Sequence, residues 1–201
     1  MGRQSALLLL GWLALMVRPG LSSYLTGSGF PWEGCKLSAS VNRWTVTLAS
    51  YSEDVVRGSR ACFNFGYKPL SQCTPSGLRC CGENHLNKFK LYIDPVCNRA
   101  DMFNITVNGN PTSAAFKEFM GGDLSKPTLK ITNMFIPFEQ INTTQLCFSL
   151  KGTANNGTCS TLASLANPFT REQGVLEIGM YDKKVDNYEC CPMFIFPLSV
   201  A

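Results

Sequence analysis

Where the chain shows a hydrophobic rhythm, its period is two. Trp44, Val46 and Leu48 alternate with Thr45 and Thr47; Phe89, Leu91 and Ile93 with Lys88, Lys90 and Tyr92; Phe103, Ile105 and Val107 with Asn104, Thr106 and Asn108. Side chains on a strand point to opposite faces in turn, so each segment offers one apolar face to a core and one polar face to water. These are half-buried strands of an antiparallel sheet or sandwich. Asn108-Gly109, Gly121-Gly122 and Asn156-Gly157 supply turns, and Pro75, Pro127, Pro137 and Pro168 stop regular structure. Two stretches carry a helical pattern, Ser113 to Met120 and Ser160 to Ala166, each about two turns and too short to stand without packing. The apolar run Met193 to Phe196, between Pro192 and Pro197, reads as a last core strand, with a sticky partner surface as the competing reading. The predicted fold class is mainly β, a disulfide-rich antiparallel sheet or sandwich with two short helices.

The two halves echo one another. A shift of 85 residues places Trp44 on Leu129, Val46 on Ile131, Cys62-Phe63 on Cys147-Phe148 and Phe65 on Leu150. Another cysteine follows in each half, Cys73 and Cys159, and each half later closes on a vicinal pair, Cys80-Cys81 and Cys190-Cys191. The pattern suggests a degenerate internal duplication around one shared core; chance likeness between short cysteine-bearing strands is the other reading.

The N-terminus changes the compartment. Arg3 precedes an apolar run from Ala6 to Val17, broken only by Gly11 and followed by Arg18, Pro19 and Gly20. That is the layout of a secretory signal peptide over residues 1–22, with cleavage near Ser22 or Ser23; the run falls short of the roughly twenty apolar residues a membrane span needs. No later stretch is apolar enough to cross a bilayer, so no membrane insertion is expected once the signal is removed. About 180 residues remain, enough for one sizeable all-β domain, read here as a single domain over 23–201. All ten cysteines fall in that part: Cys35, Cys62, Cys73, Cys80, Cys81, Cys97, Cys147, Cys159, Cys190 and Cys191. An even count in a secreted chain reads as five disulfides rather than a zinc site, which would want C-x-x-C pairs and more histidine than His85 alone. Their pairing is open among about 945 arrangements. On an extended strand neighbouring side chains diverge, so Cys80 and Cys81 are expected to bond to two different partners.

Charge narrows the partners only slightly. Without Arg3 and Arg18, 16 basic residues face 14 acidic ones, a net of +2. No Lys/Arg stripe interleaved with aromatics marks a nucleic-acid surface, and the basic pair Lys183-Lys184 reads as a solvated turn. No catalytic residue is identified. His85 is the only imidazole, and beside Glu83, Asn84 and Asn87 it reads as a solvated loop histidine. No G-x-S-x-G, glycine-rich phosphate loop or H-E-x-x-H is present, and Glu53, Asp54 and Asp182 read as loop charges rather than a glycosidase pair. No cofactor or metal is implied. Three N-glycosylation sequons are present, at Asn104, Asn142 and Asn156, whereas Asn110 is excluded by Pro111. Each lies on a polar strand face or in a turn-rich segment, so all three asparagines are expected at the surface.

The ordered landmarks carry a resemblance. They are Phe30-Pro31-Trp32 with Cys35, Ala61-Cys62-Phe63 with Cys73 and Cys80-Cys81, Ile93-Asp94-Pro95-Val96-Cys97, Val107-Asn108-Gly109, Leu129 to Asn133, Leu146-Cys147-Phe148, Cys159 to Leu162 and Cys190-Cys191-Pro192. In that order they resemble the pherophorin domain of volvocine green-algal extracellular glycoproteins. Many family members open with Phe-Pro-Phe-Cys-x-Cys, where this chain has Glu33 in place of the first cysteine. Two further family cysteines are missing near Ala166 and Val175, as the loss of one bridge would leave them. The resemblance implies secretion to the extracellular space or matrix, no enzymatic activity, and partners among extracellular matrix glycoproteins, a cell-surface receptor or glycans. Typical members join two such domains by a proline-rich rod. A stand-alone domain resembles the family's diffusible sexual inducer type instead, which implies a pheromone; the alternative is a structural matrix or cell-wall glycoprotein.

Overall fold

The computed structural model describes residues 25–182 and 190–198. The signal segment 1–22 and the Lys183-Lys184 pair lie outside the described residues. Among the described residues, ten strands form two five-stranded antiparallel sheets. The first has the order β1 (Trp44–Ser52), β2 (Arg60–Tyr67), β8 (Gln145–Leu150), β4 (Met102–Val107), β5 (Asn110–Pro111). The second has the order β10 (Met193–Pro197), β9 (Val175–Asp182), β3 (Leu86–Tyr92), β7 (Pro127–Ile131), β6 (Ala115–Phe119). Their inner faces pack into one core. Phe63 of β2 lies at its centre, its ring 5.3 Å from Phe89 of β3 and 5.4 Å from Phe196 of β10. Trp44, Leu91, Leu129, Ile131, Leu146, Phe148 and Ile178 are buried around it.

The period-two segments are strands, with two departures that have local causes. Phe103 pairs with Ser149, but the next partners are Thr106 and Cys147, so β4 carries one extra residue. Asn104 takes a left-handed φ of 46° at that bulge. The alternation slips, leaving Phe103 at the surface while Met102 and Ile105 face the core. On β3, the expected solvent face is covered. Lys90 is fully buried and Tyr92 nearly so, because residues 26–37 run as a strap across the outer face of the second sheet.

Of the two expected helices, only the second forms. Thr161 and Ser164 cap α1 (Leu162–Leu165) reciprocally, Thr161 Oγ1 accepting from the Ser164 N–H at 3.0 Å and Ser164 Oγ from the Thr161 N–H at 2.9 Å. α2 (Pro168–Arg171) follows, opened by Pro168 and capped by Asn167. Within Ser113 to Met120, by contrast, Ala115–Phe119 is strand β6. Two turns of helix are marginal alone, whereas pairing with β7 in the register Phe116 to Lys130 and Glu118 to Thr128 satisfies the backbone and ion-pairs Glu118. The run Met193 to Phe196 is the edge strand β10; Met193 is buried, Phe194 and Phe196 pack on the core and Ile195 is exposed.

All ten cysteines are paired, as Cys35–Cys191, Cys62–Cys147, Cys73–Cys81, Cys80–Cys190 and Cys97–Cys159. Each vicinal pair divides between two partners, although Cys80 and Cys81 sit in a 3-10 turn, Arg79–Cys81, rather than on a strand. With three residues per turn, neighbouring side chains there still point about 120° apart. The duplication does not extend to the arrangement. The 85-residue shift equates β1 with β7 and β2 with β8, yet β1 and β2 are neighbours in one sheet while β7 and β8 lie in different sheets. The matching cysteines are bonded partners instead, Cys62 to Cys147 and Cys80 to Cys190.

Candidate functional site

Most of the sequence-level candidates stay apart. His85 and Glu53 are exposed, and Asp54 holds the β1–β2 hairpin by accepting from the Val56 and Arg57 N–H groups and pairing with the Arg57 guanidinium at 2.6 Å. Asp182 is not a loop charge. It is buried at the end of β9, 2.5 Å from the Arg79 guanidinium, and accepts the Cys190 N–H at 2.8 Å. Burial pushes its carboxyl up, opposed by the Cys190 hydrogen bond and the Arg79 charge. Its position beside the Cys80–Cys190 bridge makes it structural. Among the described residues, no group of three or more His, Cys, Asp or Glu is arranged to hold a metal ion.

The three sequon asparagines are exposed and all belong to the first sheet's layer. Asn104 is on the β4 bulge. Asn142 lies in the 3-10 turn before β8, its Oδ1 accepting the Tyr67 N–H at 2.9 Å. Asn156 follows β8 in a left-handed conformation. Thr144, the hydroxyl residue of the Asn142 sequon, is buried and donates to the Gln140 carbonyl.

The outer face of the second sheet is different. Alternate residues of three adjacent strands converge there: Lys88 and Lys90 from β3, Lys130 from β7, Phe116 and Glu118 from β6. Asn87, Lys88, Phe116, Lys117, Glu118, Lys130 and Thr132 line an open groove of about 600 Å³. Its inner end is built around Lys90, whose Nζ donates to Glu33 at 2.6 Å, lies 3.3 Å from Glu118 and touches the Met120 sulfur at 3.6 Å. Lys90 and Lys88 sit over the Tyr181 ring, 5.1 and 4.8 Å from its centroid. Lys130 pairs with the other oxygen of Glu118. Burial opposes ionisation of Glu118, but the Lys130 hydrogen bond and the charges of Lys90 and Lys130 outweigh it and hold the carboxyl below its usual range. Phe116 is half exposed, and Asn87 Oδ1 is buried without a hydrogen-bond partner.

Beside the groove, the strap closes over Glu177 of β9. Thr26 and Ser28 hydroxyls donate to Glu177 Oε2 at 2.8 and 2.7 Å, while Oε1 is buried and unpartnered. Burial raises this carboxyl, the two hydroxyl bonds opposing it. Phe30 stacks on Tyr92 at 5.5 Å with Trp32 edge-on at 5.0 Å, and Cys35–Cys191 fixes the strap's end. Glu33 is thus the strap's charged anchor to Lys90.

The pherophorin family model matches residues 30–192, which runs from this strap to the β10 entry. The chain belongs to the pherophorin family. No curated protein matches it. Among solved structures, a cohesin module from Clostridium perfringens ATCC13124 family 33 glycoside hydrolase is similar over 79% of this chain and 96% of its own, at 10% identity and a TM-score of 0.30. At that score the likeness carries no functional argument. Family membership and a frame of five disulfides together fit an extracellular matrix glycoprotein. No helix among the described residues of this pherophorin is long and apolar enough to cross a membrane. Sequence reasoning missed the groove in this pherophorin domain, because its residues come from three segments and each lysine alone looks like a solvated strand position.

Proposed function

We propose that this pherophorin is a secreted, N-glycosylated recognition protein with no catalytic role: a pheromone of the sexual inducer type, read by a matrix or cell-surface partner. The observation that supports it is the placement of charged, aromatic and amide groups in an open groove on a disulfide-fixed sheet, on the layer that carries none of the three sequons. A rigid scaffold that presents a polar groove suits binding, because little ordering entropy is lost on contact. The same groove supports the second reading, a structural matrix glycoprotein retained through its partners.

Two measurements separate them. Purified protein added at very low concentration to responsive vegetative cells should trigger sexual differentiation, and the protein should be found free in culture medium. Failure of induction, with the protein recovered in salt-extracted matrix, replaces the pheromone with the matrix role.

A further inference from the structure

We infer that the open edge of β1 is a self-association surface, on which a second copy of this chain pairs its own β1 antiparallel about a two-fold axis at Val46.

A strand at a sheet edge offers unpaired N–H and C=O groups to any other strand, and the four edges here are guarded to different degrees. β5 is only two residues long and ends on Pro111. β6 carries Lys117 and Glu118. β10 starts after Pro192 and ends on Pro197, and its Met193 N–H already donates to the Leu37 carbonyl. β1 has nine residues without a charge or a proline, and among the described residues it pairs only with β2.

The direction of its backbone groups follows from two hydrogen bonds. The Lys68 N–H donates to the Arg43 carbonyl at 2.8 Å, and the Phe65 N–H, opposite Val46, turns away from β1 to the Thr144 carbonyl at 3.0 Å. Direction alternates along an antiparallel strand, so Thr45 and Thr47 aim their N–H and C=O groups at β2, while Trp44, Val46 and Leu48 aim theirs at the open edge. Asn42 takes the Trp44 N–H at 3.1 Å, and Ala49, the extra residue between Leu48 and Ser50, bends the strand. The free window therefore runs from the Trp44 carbonyl to Leu48.

The sequence of that window selects a second copy. Trp-Thr-Val-Thr-Leu has the same polarity read in either direction about Val46. Two-fold pairing lets each Val46 N–H donate to the other Val46 carbonyl, and each Leu48 N–H to the other Trp44 carbonyl. It sets Thr45 of one copy opposite Thr47 of the other on the outer face, a favourable cross-strand pair, and Trp44 opposite Leu48 on the core side. No charge meets a like charge along the pair, and none of the sequon asparagines lies on β1. The two first sheets, five strands each, join into one continuous sheet of a size that open sheets reach.

The test is sedimentation of the full glycoprotein over a concentration series up to about 100 µM, with hydrogen exchange measured at both ends of the series. A monomer–dimer equilibrium is expected, and the Val46 and Leu48 amides should exchange at least about tenfold more slowly in the concentrated sample. Thr45→Lys with Thr47→Lys sets like charges opposite one another across the two-fold and should raise the dissociation constant at least about tenfold, with an unchanged circular dichroism spectrum. Thr45→Glu with Thr47→Lys sets opposite charges at the same positions and should restore the dimer. A protein that stays monomeric to about 100 µM overturns the inference. So does a dimer whose Val46 and Leu48 amides gain no protection, one that the like-charge variant leaves intact, or one that the opposite-charge variant fails to restore. If the like-charge variant does not fold, exchange at Val46 and Leu48 in the parent decides. None of these outcomes depends on whether the protein induces sexual development.

Discussion

Cys62 of β2 lies directly opposite Cys147 of β8, their Cα atoms 4.1 Å apart, and the bond between them ties the middle of the first sheet. The two residues are separated by 85 positions in sequence, so the crosslink closes a long loop in the unfolded chain. Replacing both with alanine should cost about 2–4 kcal/mol, and lower the melting temperature by roughly 5 to 15 °C. Calorimetry of the double variant under non-reducing conditions checks this. Partial reduction and peptide mapping of the native protein should recover Cys62–Cys147 and should never join Cys80 to Cys81.

Gly58, Gly152 and Gly157 hold a backbone junction that side chains would break. A Cβ on Gly152 would meet the Val56 carbonyl oxygen at 2.1 Å and Gly58 N at 2.4 Å, where the β1–β2 hairpin crosses the turn after β8. Nothing there is a flexible side-chain end that could move aside. Gly152→Ala is expected to destabilise by at least about 2 kcal/mol, while Gly34→Ala, with nothing within 4 Å, should stay within about 0.5 kcal/mol of the parent. Urea titration of both variants decides it.

The strap makes stability depend on pH through Glu177. Its folded carboxyl binds a proton more tightly than the unfolded one, whose ordinary value is 4.5. This contribution to stability is therefore full below pH 4.5 and is lost as pH rises through the raised folded value. Tyr92 is the titratable group beside it, its hydroxyl pushed up by burial and then by the Glu177 charge. Glu177→Gln should remove that loss, so the difference in melting temperature between variant and parent should grow in the variant's favour from pH 4 to 7. A difference that stays flat over the same range would rule out the buried carboxylate as its source.

Glycosylation is expected at Asn104, Asn142 and Asn156. Deglycosylation in heavy-oxygen water, followed by peptide mass spectrometry, should mark at least two of them. Asn142 also has a structural duty, because its Oδ1 accepts the Tyr67 N–H. Asn142→Ala should cost about 1 kcal/mol beyond any effect of losing the glycan, measured against parent trimmed by an endoglycosidase that leaves the Asn142 amide intact.

The amino-acid sequence by itself determined the β class, the strands built on Trp44, Phe89 and Ile105, the α1 helix and the division of each vicinal cysteine pair. All of these follow from local rules: side chains alternate along a strand, caps satisfy nearby N–H groups, and adjacent sulfurs diverge. The cysteine register and the landmarks from Phe30 to Pro192 were enough for the family. Only the tertiary structure decided that Ser113 to Met120 holds a strand, that Phe103 leaves the core at a bulge, and that Lys90 and Glu177 are buried. Each depends on a partner outside its own segment: β7 across the turn from β6 and, farther off in sequence, β8 beside β4 and the strap over β3 and β9. The groove arises the same way. Lys88, Lys130 and Phe116 carry no shared local signal, and antiparallel pairing of three strands is what sets them on one face.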